Sequence, residues 1–276
     1  MVKIGKYNKL AIFREVDFGI YFHDEKLGDI LMPKRYLPEK WAIGDELEVF
    51  IYLDSEDRLI ATTEKPFAEV DEFATLEVIA TTAVGAFLNW GLMKDLLVPF
   101  REQKKRMNVG EKHLVFIYLD PETNRIVASS KIDHFVDNLP VDYEPEEEVD
   151  LIIAEKTDLG YKAIIDNSHF GMLYKNEVFQ TLTIGQRLKG FIGKVREDEK
   201  IDLVLQKPGY EKMEGLAQEI LDKLKANDGF LAVGDKSSPE VIYSQFKISK
   251  KNFKKALGTL YKNRLIVIED EGIKLV

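Results

Sequence analysis

The stretch Phe50-Ile-Tyr-Leu-Asp54 occurs a second time, as Phe116-Ile-Tyr-Leu-Asp120, at an offset of 66 residues. The match extends without a gap, since residues 19–54 and 85–120 are identical at 12 of 36 positions. A period this long indicates a duplicated domain rather than a solenoid unit. Duplicated small domains are typical of one kind of binding surface used several times, which argues against a single-site enzyme.

A weaker third copy lies a further 75 residues along the chain, where Gly160 and Gly185 take the places of Gly85 and Gly110. In a chain of 276 residues, three copies and a remainder predict about four small domains. The predicted domains are the three copies at 1–66, 67–136 and 147–208, an acidic proline-containing linker at 137–146, and a C-terminal domain at 209–276.

Short β-rich runs separated by turn residues predict that each copy is a small β-barrel. In the first copy these runs are 18–22, 47–53 and 59–63, and Asp54-Ser-Glu-Asp57 is a turn. Closure of about five such strands into a barrel removes exposed strand edges. A glycine also interrupts a strand pattern in every copy, which is typical of a bulge or a tight bend. These glycines are Gly19, Gly85 and Gly160.

The pattern changes from strand to helix after Pro208-Gly209. Apolar residues at helical spacing between 216 and 224 predict a first helix, and 230–233 predicts one short strand. Ser238-Pro239 begins a second helix and Ser249 caps a third. Two apolar runs around residues 269–272 then predict a hairpin. This order of elements is that of a winged helix, so the predicted fold class is mostly β with an α/β C-terminus.

Composition narrows the functional classes. The chain has no cysteine, which excludes disulfides, a thiolate nucleophile and a zinc–thiolate site. The N-terminus lacks the apolar core and cleavage site of a signal peptide. No apolar run approaches the roughly 18 residues of a membrane span. We therefore expect a cytoplasmic protein without a membrane partner.

The charge distribution says more than the net charge of −9, which at face value disfavours a nucleic-acid partner. The stretch Lys247–Arg264 carries seven positive residues and no acidic residue. Such asymmetry indicates a nucleic-acid-binding surface in the C-terminal domain.

Motifs of enzymes are absent from the sequence. There is no phosphate-binding glycine-rich loop followed by Lys-Ser/Thr, no Gly-x-Ser-x-Gly and no His-Glu-x-x-His. The four histidines are scattered, and the acidic run 146–148 lies in the predicted linker. We therefore expect no enzymatic activity, no metal site, no cofactor and no small-molecule substrate.

Four motifs of the first copy follow a known order. They are Phe18-Gly-Ile-Tyr21, Gly28-Asp-Ile-Leu31, Ile43-Gly-Asp45 and the turn residue Asp54. This order resembles that of the S1-type RNA-binding domain, an OB-fold barrel. The resemblance implies three tandem S1-like OB-fold barrels followed by a winged-helix domain.

Two further stretches extend the resemblance over essentially the whole chain. They are Leu173-Tyr-Lys-Asn-Glu177 with 194–202 in the third copy, and the basic stretch 246–266. The chain resembles the conserved virulence factor B (CvfB, or YitL-like) family of bacterial proteins, which has three S1-type domains and a C-terminal winged helix. This resemblance implies RNA binding linked to post-transcriptional regulation.

In the S1-type pattern two strand aromatics stack on bases, and stacking contributes about 1–3 kcal/mol per base. Unpaired bases of single-stranded RNA are accessible to such rings. The first copy has Phe18 and Tyr21, which face the same way only if Gly19 forms a bulge. In a regular strand Phe18 would instead be a core residue.

The other copies depart from the full S1-type set. Val84 replaces the first aromatic of the second copy and Phe87 keeps the second, whereas the third copy has Leu159 and Lys162. The third pattern position, which is usually histidine, is Leu31, Leu97 and Tyr174 in the three copies. Each barrel is therefore expected to bind weakly, and tethered weak sites gain avidity.

Basic residues form the second group of candidates. A buried stripe of Phe253, Leu257 and Leu260 leaves lysines facing outward on the helix that contacts nucleic acid in winged helices. A lysine-rich solvated face is the alternative interpretation. The predicted phosphate-binding residues are Lys194, Arg196 and Lys200 in the third copy, and Lys247, Lys250, Lys251, Lys254, Lys255, Lys262 and Arg264 in the C-terminal domain. The patch of the third copy is the weaker one, because Glu197, Asp198, Glu199 and Asp202 interleave its cations, and a structural role is its alternative interpretation.

Three functional hypotheses follow. The first is a non-enzymatic RNA-binding protein that holds single-stranded RNA across the barrels and the basic helix. The second is a DNA-binding regulator, in which Asn252 is a possible reader of base edges. The third is a protein-interaction scaffold, which the net charge and the incomplete aromatic sets favour.

Overall fold

The computed structural model describes residues 1–178, 180–206 and 211–276, with only the backbone for 211–214. The predicted boundary at 208/209 lies outside the described residues. The chain folds as two compact units, Met1–Val136 and Asp137–Val276. Within the described ranges, no helix is long and apolar enough to cross a membrane, and no three His, Asp or Glu side chains are grouped as metal ligands.

The first unit contains two closed five-stranded barrels. Barrel 1 consists of β1 (Tyr7–Val16), β2 (Gly19–Asp24), β3 (Gly28–Pro33), β4 (Glu46–Leu53) and β5 (Leu59–Thr62). Barrel 2 consists of β6 (Glu72–Thr81), β7 (Gly85–Asn89), β8 (Leu96–Pro99), β9 (Lys112–Leu119) and β10 (Ile126–Ser129). Both have the strand order first, second, third, fifth, fourth.

The second unit contains barrel 3 and the C-terminal domain. Barrel 3 repeats the same strand order with β11 (Glu148–Lys156), β12 (Gly160–Ile165), β13 (His169–Tyr174), β14 (Arg187–Val195) and β15 (Ile201–Val204). The C-terminal domain consists of α1 (Glu211–Ala226), β16 (Phe230–Leu231), α2 (Pro239–Phe246), α3 (Lys250–Lys262), β17 (Ile266–Glu269) and β18 (Gly272–Leu275). The predicted barrels and winged helix are confirmed.

The helix starts follow from capping. The Ser238 side chain accepts a hydrogen bond from the Val241 amide, and Pro239 occupies the first helical turn of α2. The Ser249 side chain accepts one from the Asn252 amide at the start of α3. The predicted stripe of Phe253, Leu257 and Leu260 is buried in the core of this domain.

The repeat glycines allow close packing of neighbouring strands. A Cβ atom on Gly19, Gly85 or Gly160 would clash with the carbonyl oxygen of Met32, Val98 or Leu173, respectively. Of the two expected irregularities, a bulge or a tight bend, Gly19 lies at a tight bend: it directly follows the turn at residues 17–18, and β2 pairs regularly with β3 from Gly19 onward. The bulge lies in the preceding strand, between Ile12 and Arg14.

The run that marks the duplication is a packing surface. Phe50 is buried and its ring lies 5.8 Å from that of Trp90, which follows β7. The equivalent Phe116 stacks on Phe135, with ring centroids 4.3 Å apart. The repeated phenylalanine therefore packs against the next barrel in the first copy, and against the end of the first unit in the second copy.

Residues of the predicted linker are attached to barrel 3. The Phe170 amide donates to the Asp137 carboxylate at 2.8 Å, and buried His169 bonds to the Leu139 carbonyl at 2.9 Å. The Tyr143 hydroxyl bonds to the other His169 ring nitrogen at 3.1 Å, and burial raises the pKa of Tyr143 to about 12. These contacts make the segment part of the second unit.

Candidate nucleic-acid interface

The strand register defines which side chains take the same place on the three barrels. Tyr21 of β2 lies between Arg14 of β1 and Leu31 of β3. The same trio is Phe87, Ala80 and Leu97 in barrel 2, and Lys162, Glu155 and Met172 in barrel 3. The cross-strand pair between the first and second strands therefore differs among the barrels. It is a cation and an aromatic residue in barrel 1, two uncharged residues in barrel 2, and an acid and a cation in barrel 3.

This register corrects one predicted equivalence. Tyr174 is opposite Gly160, as Pro33 is opposite Gly19, so it does not take the place of Leu31. Met172 takes that place. The offset of 75 residues between the second and third copies also takes Leu97 to residue 172, and the pairing of Lys162 with Met172 confirms that position.

Barrel 1 brings its two predicted aromatics together. Phe18 lies in the turn before β2, is 58% exposed, and has its ring centroid 6.5 Å from that of Tyr21 in an edge-to-face arrangement. The core interpretation of Phe18 is therefore wrong. A turn residue is free of the strand's alternation, so both rings share one surface without a bulge at Gly19.

A cation that sequence analysis missed covers the Tyr21 ring. The Arg14 guanidinium carbon lies 4.2 Å from the ring centroid, within cation–π range. Arg14 also donates to Asp29 at 3.0 Å, and Asp29 bonds to His23 at 2.8 Å. The bonds from His23 and Arg14 lower the pKa of the Asp29 carboxyl, so it is ionised and holds Arg14 in place.

Barrel 2 has an apolar version of this surface. Val84, at the place of Phe18, is 59% exposed, and Phe87 is half-buried beside Ala80. A different cation–π pair lies after β8, where the Arg106 guanidinium is 3.9 Å from the Phe100 ring centroid. Sequence analysis did not single out either of these residues.

Barrel 3 has an aliphatic residue and a cation where barrel 1 has two rings. Leu159 is 59% exposed at the place of Phe18, and the Lys162 ammonium lies 3.5 Å from the Phe170 ring centroid. Lys162 and Tyr174 are the candidate residues of this copy, and only Tyr174 has a ring. Tyr174 accepts a hydrogen bond from Arg196 at 2.8 Å.

Barrel 3's own acids pair with two of its predicted phosphate-binding residues. Arg196 forms an ion pair with Asp202 at 2.9 Å, and the bond to Asp202 raises the pKa of Arg196. Lys200 is paired with Asp198 at 2.6 Å. Lys194 is exposed on β14.

Helix α3 presents its lysines as the stripe predicts, with one exception. Lys251, Lys254 and Lys255 are exposed, whereas Lys250 is half-buried in the first turn. Lys254 is 3.9 Å from Asp235, which is a weak ion pair. Lys247, Lys262 and Arg264 are exposed around the same helix.

A cleft of about 400 Å³ lies between the start of α3 and barrel 3. Helix α3 contributes Lys251, Asn252 and Lys255 to its lining, and β14 contributes Lys189. The cleft edges are joined by hydrogen bonds from Gln206 to the Lys247 carbonyl and from the Tyr243 hydroxyl to Gln180 at 3.1 Å. Three lysines and the single acid Glu177 line the described part of this cleft. Lys189 is ion-paired with Asp150 at 2.9 Å, so Lys251 and Lys255 are the lysines that favour an anionic ligand.

The residues that sequence analysis missed share one property. Arg14 and Lys189 acquire their roles only through neighbours on other elements, at the Tyr21 ring and across from α3. Regular strand alternation would place Arg14 on the same face as buried Ile12, and only the bulge between them turns Arg14 outward, so no local pattern marks Arg14. No local pattern marks Lys189 either.

The fold and this surface define a class of protein that combines OB-type barrels with a winged helix. The family model for the S1 domain matches residues 4–64 and 72–131, and the model for the CvfB-like winged helix domain matches residues 218–275. The chain is 29% identical to YitL of Bacillus subtilis, over 96% of this chain and 91% of that protein.

The chain is also 27% identical to conserved virulence factor B of Staphylococcus saprophyticus, over 86% of this chain and 82% of that protein. A crystal structure of a multidomain protein with nucleic acid binding domains from Streptococcus pneumoniae is 24% identical, with a TM-score of 0.42, over 99% of this chain and 98% of that one. The two domain matches and the curated relatives confirm the predicted resemblance to the CvfB/YitL-like family. S1 and winged-helix domains support a nucleic-acid-binding role for the chain.

Proposed function

We propose that the chain is a non-enzymatic protein that binds single-stranded RNA and acts in post-transcriptional regulation. The observation that carries this proposal is the ring pair of exposed Phe18 and half-buried Tyr21, with Arg14 over the Tyr21 ring. Rings of this kind stack on unpaired bases, which a duplex does not expose. The adjacent guanidinium supplies a positive charge for the phosphate backbone.

The second support is the basic cleft beside α3. A B-DNA major groove is about 12 Å wide and admits the N-terminal residues of a recognition helix. Barrel 3 residues Lys189 and Gln180 lie across the cleft from this end of α3, including Asn252. A duplex groove could receive that end only if barrel 3 moved away, whereas a single strand fits a narrow cleft. The observation therefore favours RNA or another single strand over duplex DNA.

The experiment is fluorescence anisotropy of labelled single-stranded RNA, single-stranded DNA and duplex DNA of equal length, at 50 and 200 mM salt. It compares the wild type with a Lys251→Ala, Lys254→Ala, Lys255→Ala variant. A matched control, Lys225→Ala, Lys236→Ala, Lys274→Ala, removes the same charge from exposed positions of the same domain away from α3.

Three lost phosphate contacts would reduce the log–log salt slope by about 2, since each contact on a single strand contributes about 0.7. Between 50 and 200 mM salt, wild-type affinity would then fall about 20-fold further than that of the α3 variant. The matched control should keep the wild-type slope. Strongest binding to duplex DNA would favour a DNA-binding regulator, and no binding to any of the three at 50 mM salt would favour a scaffold.

A further inference from the structure

The bulge of β1 presents an additional aromatic ring on barrel 1. Its register with β2 passes from Ile12 to Arg14, so Phe13 is the inserted residue. Ile12 is buried, whereas Phe13 is 54% exposed. A large exposed ring at a defined backbone irregularity is a candidate contact residue, since bulges are often used to redirect a side chain.

Phe13 belongs to a continuous row of flat side chains. Its ring centroid lies 5.4 Å from that of His23, and His23 shares Asp29 with Arg14. Arg14 covers Tyr21, whose ring in turn faces Phe18. The row therefore begins at Phe13 and ends at Phe18.

The row contains two separate ring pairs. Tyr21 and His23 are two residues apart on β2, which places them on the same face about 6.6 Å apart. Adjacent bases of a single strand can be splayed and stacked on separate rings. The Phe13–His23 pair is thus within reach of the base next to the one at Phe18 and Tyr21.

Barrel 1 alone has this arrangement among the three described barrels. At the places of Phe13 and His23, barrel 2 has Ile79 and Asn89. Barrel 3 has Ala154 and the fully buried Ile164. Neither of these barrels has a ring at either place.

We propose that Phe13 and His23 form a second base-stacking position on barrel 1, which takes an unpaired base adjacent to the one on Phe18 and Tyr21. This inference rests on the proposed binding of single-stranded RNA. With this second position, barrel 1 binds at least two successive nucleotides, and the Arg14 guanidinium lies between the two stacking positions.

The test measures the affinity of the full chain for a labelled 12-nucleotide RNA by anisotropy at 50 mM salt. The variants are Phe13→Ala, Phe13→Leu and Phe13→Trp, with Ile79→Ala as the matched change on barrel 2. A Phe18→Ala, Tyr21→Ala variant reports on the first position. Thermal unfolding checks that each variant retains the wild-type fold, as the exposure of Phe13 leads us to expect.

The expected result is a loss of about 5- to 150-fold for Phe13→Ala, the range that one stacked base contributes. Phe13→Leu should lose as much, Phe13→Trp should bind like the wild type, and Ile79→Ala should have no effect. Full binding by Phe13→Leu would overturn the inference, because it would show an apolar contact without stacking.

The remaining outcomes separate this inference from the proposed function. If Phe18→Ala, Tyr21→Ala weakens RNA binding and Phe13→Ala does not, the second position is refuted and the RNA-binding proposal stands. If the wild type does not bind RNA, both are refuted.

Discussion

Barrels 1 and 3 have the same strand order and the same glycine at the start of the second strand, yet their outer faces carry opposite chemistry. Where barrel 1 pairs Arg14 with Tyr21, barrel 3 pairs Glu155 with Lys162. Barrel 3 instead contributes Lys189 to the cleft beside α3. The three barrels therefore share one scaffold, while a few outward residues, the cross-strand pair among them, differ and change the kind of contact that each face can make.

The strongest test of this comparison removes both rings of barrel 1. Phe18→Ala, Tyr21→Ala should weaken binding of single-stranded RNA by about 5- to 150-fold, because stacking contributes about 1–3 kcal/mol per base. The measurement is anisotropy at 50 mM salt. The equivalent change on barrel 3, Leu159→Ala, Lys162→Ala, should cost less than about threefold, the salt-sensitive contribution of one cation. Equal losses in the two variants would contradict the distinction between the faces.

A gain-of-function variant tests the same comparison in the other direction. Glu155→Arg, Lys162→Tyr, Leu159→Phe installs the barrel 1 side chains at the equivalent places of barrel 3. We expect RNA affinity to rise about fivefold, which is the lower end of the gain in affinity that one stacked base contributes. The lower end is expected because Phe170 already lies beside residue 162 in barrel 3. Isothermal titration calorimetry would measure the change. Unchanged affinity with an intact fold would mean that the pair alone does not define the site.

Barrel 2 should be the intermediate case. Phe87→Ala removes one half-buried ring that has Ala80, not a cation, beside it. The expected loss of RNA affinity is about two- to threefold, below the range for a fully stacked base. Anisotropy against Val84→Ala, which removes only an exposed aliphatic side chain, measures the contribution of the ring itself. A loss as large as that of the barrel 1 variant would place barrel 2 among the main binding surfaces.

The smallest expected effect concerns the acid that holds Arg14. Asp29→Asn removes a negative charge beside Tyr21 and releases Arg14 for a phosphate contact. RNA affinity at 50 mM salt should rise about twofold, and the log–log salt slope should steepen by up to about 0.7. The slope is measured by anisotropy at four salt concentrations. A weaker complex would show that Arg14 must remain fixed over the ring.

The pKa of Asp29 is lowered, so its interactions stabilise the fold above the ordinary carboxyl pKa of about 3.9 and are lost as the pH falls below it. Near neutral pH this carboxyl is ionised in both the folded and the unfolded chain.

Much of the organisation could be predicted from local sequence. The duplicated run around Phe50 revealed the copies, turn residues delimited the strands, and Ser249 with its apolar stripe identified α3. These features depend on residues close together in the chain, where turn chemistry, capping and periodicity act. Strand β1 is the exception, because half of its residues are exposed, only Ile12 is buried, and its apolar alternation is weak.

The site was only partly predictable for the same physical reason. The candidates Phe18 and Tyr21 come from one short motif, but the surface that they share depends on the turn geometry and on pairing with β1. Pairing placed Met172 rather than Tyr174 at the third pattern position, and it gave Arg196 and Lys200 acidic partners. Composition alone could not separate a free cation from a neutralised one.

The sequence by itself determined the repeat, the three barrels, the winged helix and the basic character of α3, because each is encoded in local periodicity, turn and charge patterns. Only the tertiary structure decided which side chains meet across strands and domains. It placed Arg14 over Tyr21, Phe13 beside His23, and Lys189 across from α3. Such contacts join residues far apart in the chain, and small shifts of register or packing determine them.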